Sequence, residues 1–275
     1  MDQSIFQYDF IVRAILGALF ASITAGLAGT YIVSRRMVFL SGGITHASFG
    51  GIGIGYFAGI NPVIGAAVFG ILSALGVEYL SGRQKIREDS AIGILWAFGM
   101  AIGIIFIYLT PGYSPNLMSY LFGSILTVSD ADIIALGVMS IILILYFLIF
   151  YRTILYISFD ESYARTYSSY VDIFKYVTTS LMALTIVLNI RMAGVVLVLS
   201  LLTIPPNIAM IFTRVYFKVV VLSVLAGFLG TSAGYTISYF AGIPVGATII
   251  FTLVIIWVVA KGINQLLLRY KRINR

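Results

Sequence analysis

An all-α polytopic bundle that crosses a membrane eight or nine times is the fold this sequence predicts, on three observations. The chain is 60% apolar and only 10% charged, with a mean hydropathy of +1.05, well outside the range of a water-soluble domain. Its apolar runs approach the ~20 residues that a helix needs to cross the hydrocarbon of a bilayer. The breaks between them are basic on alternate sides, as the excess of Lys and Arg in cytoplasmic loops requires. At ~20 residues per crossing, the spans use up nearly all 275 residues. Residues 1–275 therefore read as one transmembrane domain with no soluble catalytic domain beside it. With no cysteine, disulfides and thiolate metal sites are excluded, so a metal must meet imidazole, carboxylate, carbonyl, hydroxyl or thioether groups. The acidic start MDQSIFQYDF does not read as a signal peptide.

The first span runs from about Phe10 to Ser34, with Gly17, Ala21, Ala25 and Gly29 as a small-residue ridge, and ends inside at Arg35-Arg36. The second carries His46 and leaves at Asn61-Pro62; the third, about Val63 to Leu80, returns to the basic loop GRQKIRED. Glu78 near its end can pair with Arg83 or face an internal cavity. The fourth, about Ser90 to Thr110, ends in the outer turn PGYSP. A half-buried interfacial helix is expected from Leu117 to about Thr127. The fifth span, about Ile133 to Tyr151, comes back inside at Arg152, before the longest polar break, Ser158 to Asp172. That break reads as a short helix capped by Ser158 with Glu161 in its first turn, either a docking point or an ordinary connection. The sixth span, about Phe174 to Leu188, turns outside at Asn189-Ile190-Arg191. The seventh, about Met192 to Ile211, contains Pro205-Pro206-Asn207, where two missing backbone donors are expected to break or kink the helix. The eighth and ninth, about Val219 to Phe240 and Val245 to Leu268, flank the turn AGIP. Of 17 Lys and Arg, this drawing leaves only Arg13 and Arg191 outside. It sets the N-terminus outside and the C-terminus in the cytoplasm, and it uses up the net charge of +7 without nucleic acid as a partner.

Three groups of residues are candidates for chemistry. His46 is the sole histidine, and an ionisable side chain at membrane depth is by default a functional candidate; the alternative is a buried imidazole hydrogen-bonded to a carbonyl. On a helix it shares a face with Gly50 and Gly53, while Ala47, Gly51, Gly55 and Gly59 form a separate groove for close packing. Asp130 and Asp132 on the outer side can offer oxygen ligands to a cation or open the fifth span with Ser129 or Asp130 as its cap. Pro205, Pro206 and Asn207 mark a candidate moving wall. No G-x-x-x-x-G-K-[ST] phosphate loop occurs, so the chain is expected to hydrolyse nothing itself.

The run RRMVFLSGGITHASFGGIGIGYFAGINP resembles the second-helix motif of the membrane subunits of prokaryotic zinc, manganese and iron importers driven by an ATP-binding cassette. The resemblance continues in order through EDSAIGILWAFGMAIGIIF, LMSYLFGSILTVSDAD, SFDESYARTYSSYVD, LTIVLNIRMAGVVLVLSLLTIPPNIAM and GYTISYFAGIPVGATI, nearly the whole chain. It implies a homodimeric permease in a cytoplasmic membrane, partnered by a cytoplasmic ATP-binding subunit dimer and an extracytoplasmic metal-binding protein. The metal would be cargo, with no permanently bound cofactor, and ATP would be used by the partner. His46 falls at the family's path-lining histidine, while Gly42 replaces the acidic residue that many members carry four positions earlier. Asp160, Glu161, Ala164 and Arg165 fall in the family's DEELA-like motif, which implies that residues 158–172 form the helix that sits on the ATPase. A secondary metal transporter and a membrane scaffold are the alternatives. The first is expected to carry more membrane-embedded carboxylates, and the second leaves His46 without a purpose.

Overall fold

The computed structural model describes residues 9–82, 84–112 and 129–273. These residues are helical and contain no strand: α1 (Asp9–Ser34), α2 (Val38–Ala58), α3 (Pro62–Gly82), α4 (Glu88–Leu109), α5 (Asp130–Ile149), α6 (Tyr151–Phe159), α7 (Glu161–Tyr167), α8 (Val171–Phe212), α9 (Tyr216–Ala241) and α10 (Val245–Ile273). The interfacial helix expected over 117–127 lies outside the described residues, as does Arg83, the partner expected for Glu78.

Seven described helices are long and apolar enough to cross a membrane: α1, α3, α4, α5, α8, α9 and α10. The difference from the expected eight or nine has two causes. The glycines, serines, threonines and His46 of α2 dilute its hydropathy, although its 21 residues match a crossing in length. And α8, 42 residues long, joins two helical segments that the sequence places in separate spans. The expected turn at Asn189-Ile190-Arg191 is helical. The one non-helical residue within α8 is Gly194, at φ 75° and ψ 163°, a region that only glycine enters without strain. Pro205 and Pro206 keep helical dihedrals, so the break expected there falls at Gly194 instead. The prolines still leave the carbonyls of Leu201 and Leu202 without their usual donors. Gly29 of α1 packs directly on the Leu202 carbonyl, at an approach any Cβ would prevent.

α1 is central, packed on α8, α9 and α5, while α2 lies against both α3 and α4. The glycine pattern explains the second contact. Gly51 and Gly65 meet backbone to backbone across α2 and α3, and Gly53 meets Gly103 across α2 and α4. Backbones brought this close replace the hydrophobic driving force that lipid cannot supply between helices. α2 ends on Gly59 in the left-handed region (φ 67°), and Asn61 then starts α3 by accepting from the Val63 amide at 2.9 Å. The turn expected at Asn61-Pro62 is where the sequence placed it.

Candidate functional site

His46 stands on the α4 side of α2. Its ring stacks on Trp96 at 4.3 Å between centroids and 5° between planes, which holds the imidazole by its face, and no hydrogen bond to its ring nitrogens occurs among the described residues. The side chain is half-buried. Gly42, one turn earlier, opens beside it: a Cβ there would meet only Leu199 Cδ1, at 3.9 Å. The α2 face that carries the imidazole therefore turns toward the second segment of α8, with the buried Gly42 in ordinary contact distance of Leu199. Among the described residues no three His, Asp or Glu side chains converge as an ion-holding cluster.

The carboxylates at the start of α5 are engaged. Asp130 pairs with Arg13 at 3.0 Å, and Asp132 with Arg191 at 3.2 Å. Asp132 also completes a capping box with Ser129, which is the N-cap of α5. The two arginines that the charge pattern leaves outside are thus the two that these carboxylates hold.

A larger ionic cluster gathers at the opposite ends of the helices. Glu78, 4% exposed at the end of α3, binds Lys175 of α8 at 2.9 Å and accepts from the Thr179 hydroxyl at 3.0 Å. Lys175 also reaches Glu161 of α7 at 3.3 Å. Glu161 in turn pairs with Arg35 at 3.3 Å and with Arg165 at 2.8 Å, and Arg165 holds Asp172 at 2.7 Å. In these pairs three cations face three anions. Burial works against the charge of Glu161, but Arg165, Lys175 and Arg35 outweigh it and hold its pKa below the ordinary value. Hydrogen bonds to Asp172 and Glu161 push Arg165 up.

The cap of α7 is Asp160, which accepts from the Tyr163 amide at 3.0 Å, rather than the expected Ser158, whose hydroxyl donates to the Ile154 carbonyl. Ala164 is buried with Ile157 and Val171. Asp160, Glu161, Ala164 and Arg165 thus anchor α7 to its own chain, and its outward side carries Ser162, Tyr163 and Thr166. Sequence reasoning missed Trp96, Lys175 and Arg35 as partners. The only available signal for Trp96 was rarity, since the chain has 2 Trp; the lysine at the start of a span was legible as unusual but not as the partner of Glu78.

Comparison with known proteins identifies the family. The model of the ABC 3 transport family matches residues 7–263. An uncharacterised membrane protein of Synechocystis is 39% identical over 259 residues, 94% of this chain and 92% of that protein. The manganese transport system membrane protein MntC of Listeria monocytogenes is 32% identical over 258 residues, again 94% and 92% of the two chains. PsaBC from Streptococcus pneumoniae, solved in complex with Fab, superposes with a TM-score of 0.82 at 29% identity, covering 93% of this chain and 92% of that one.

Proposed function

The chain belongs to the ABC 3 transport family, and from that premise we propose how it works. It is the permease subunit of an importer of a divalent metal ion, a multi-pass protein of the cytoplasmic membrane acting within a multi-subunit complex. In our reading two copies enclose the path and nine helical segments cross, with α2 counted as a span and α8 divided at Gly194. The N-terminus lies outside. α7 rests on the cytoplasmic ATPase, and an extracytoplasmic protein delivers the ion to the outer face.

His46 supplies a borderline nitrogen ligand in the path. The observation that carries this assignment is the stack on Trp96, which orients the ring while no hydrogen bond or ion pair to it occurs among the described residues. A buried structural histidine, the other reading, would have a carbonyl partner. Gly42 supplies no carboxylate, so the ion meets few strong ligands and leaves easily, as conduction requires. Nucleotide binding in the ATPase displaces α7. Because Glu161 is tied to Arg35 at the entrance to α2, and through Lys175 to Glu78 of α3, that displacement pulls on the two helices beside the path.

The test is metal uptake by the assembled complex in vesicles, comparing wild type with His46→Leu. Uptake per complex is expected to fall at least tenfold while subunit association persists. The wild type should also lose affinity on acidification, since protons compete for an imidazole whose reference pKa is about 6.5. Equal rates and equal pH profiles for the two proteins would return His46 to a packing role.

A further inference from the structure

The second segment of α8, residues 195–212, divides into two faces. Leu197, Val198, Leu201, Leu202, Pro205, Pro206, Ile208 and Ala209 are buried against the bundle, and Val196, Leu199, Ser200, Thr203 and Asn207 lie on the other side at helical spacing, half-buried or exposed. Within a span, an exposed amide whose oxygen has no partner among the described residues is not a lipid surface, because hydrocarbon offers that oxygen none.

Their internal bonds determine what they present. Ser200 Oγ donates to the Val196 carbonyl at 3.1 Å, Thr203 Oγ1 to the Leu199 carbonyl at 2.8 Å, and Asn207 Nδ2 to the Thr203 carbonyl at 2.7 Å. The hydroxyl donors are spent, and the remaining capacity of the three side chains is mainly oxygen lone pairs. Leu199, on this same face, is the side chain that approaches Gly42, at 3.9 Å from the place of a Cβ there, one turn from His46.

We propose that Ser200, Thr203 and Asn207 form a ladder of neutral oxygens lining the ion's path and receiving it from His46. This rests on the transport reading above and adds to it the residues that replace the missing carboxylate. Neutral hydroxyl and amide oxygens suit a hard or borderline dication that keeps part of its water, such as Mn²⁺, rather than a soft ion that seeks sulfur. They bind without trapping, so the ion can pass from one to the next.

Because the chain has no cysteine, the test is direct. Ser200→Cys, Thr203→Cys and Asn207→Cys are compared with Ile141→Cys, an exposed apolar position on α5. Each is placed in the complex with its ATPase and delivery protein, reconstituted in liposomes, and treated with a charged methanethiosulfonate reagent. The ladder positions are expected to react at least tenfold faster than the control, to be slowed by excess Mn²⁺, and to lose Mn²⁺ uptake once modified. Thr203→Val and Asn207→Leu should raise the KM for Mn²⁺ at least fivefold with nucleotide hydrolysis retained. Labelling no faster than at Ile141→Cys, or an unchanged KM in both variants, in complexes that transport normally, overturns the ladder and leaves the transport reading standing. A wild-type complex that moves none of Mn²⁺, Zn²⁺ and Fe²⁺ overturns the transport reading itself.

Discussion

Replacing Lys175 by methionine removes the cation from the most deeply buried ion pair at the α3–α8 contact while keeping the length and apolar stem of the side chain. At the 2.9 Å separation of Lys175 Nζ and Glu78 Oε2, an effective dielectric near 20 gives a gross attraction of about 6 kcal/mol. Much of that is offset by the cost of taking both charges out of water, so the pair contributes little compared with an apolar replacement. Removing one partner is a different matter. Glu78 is 4% exposed, and without the ammonium its carboxylate keeps the Thr179 hydroxyl as its one hydrogen bond among the described residues, a situation that costs about 3–5 kcal/mol. For a chain of this size that is a fall in unfolding temperature on the order of 10 °C. Adding Glu78→Gln removes the stranded charge and retains an acceptor for Thr179, so the double variant should recover most of the loss. The assay is thermal unfolding of the purified permease in detergent, followed by the fraction that remains monodisperse, for wild type, both single variants and the double. If Lys175→Met lies within about 1 kcal/mol of wild type, or if Glu78→Gln fails to restore it, the pair does not hold α3 to α8 as argued.

Two further outcomes are expected. Gly51→Val should abolish folding, because its Cβ would overlap the Gly65 backbone, whereas Gly93→Ala, which meets nothing within 4 Å, should express as wild type; membrane yields of the two decide this. The seating of α7 should depend on pH in a definite direction. The pKa of Glu161 is lowered in the folded state, so the stabilisation is complete above the unfolded value of about 4.3 and is lost as pH falls through the lower folded value. A spin label at Ser162→Cys should stay as immobile at pH 5.5 as at pH 7.5 and loosen only in stronger acid, and loosening near pH 6 would contradict the network.

Much of the polar connection before α8 was legible, yet the roles of its residues were not. The break at 158–172 announced itself by polarity, and Glu161 and Arg165 stood out as charged residues in a membrane protein. Only the packed helices showed that both are held internally, so that Ser162, Tyr163 and Thr166 make up the outward side of α7. The proline pair misled for a related reason. A missing donor is a property of sequence, whereas the fate of the freed carbonyl depends on Gly29, far away in the chain.

What the sequence by itself determined is the all-helical membrane class, most of the spans and the turn at Asn61-Pro62. Those follow from hydropathy, charge bias and local backbone chemistry, each fixed within a few turns of chain. The tertiary structure alone decided that Gly194 breaks α8, that Lys175 answers Glu78, that Arg13 and Arg191 neutralise Asp130 and Asp132, and that Trp96 orients His46. In each the partner is distant in sequence or one of several alternatives equal in local propensity, and the choice among them is made by which helices the glycine faces allow to approach.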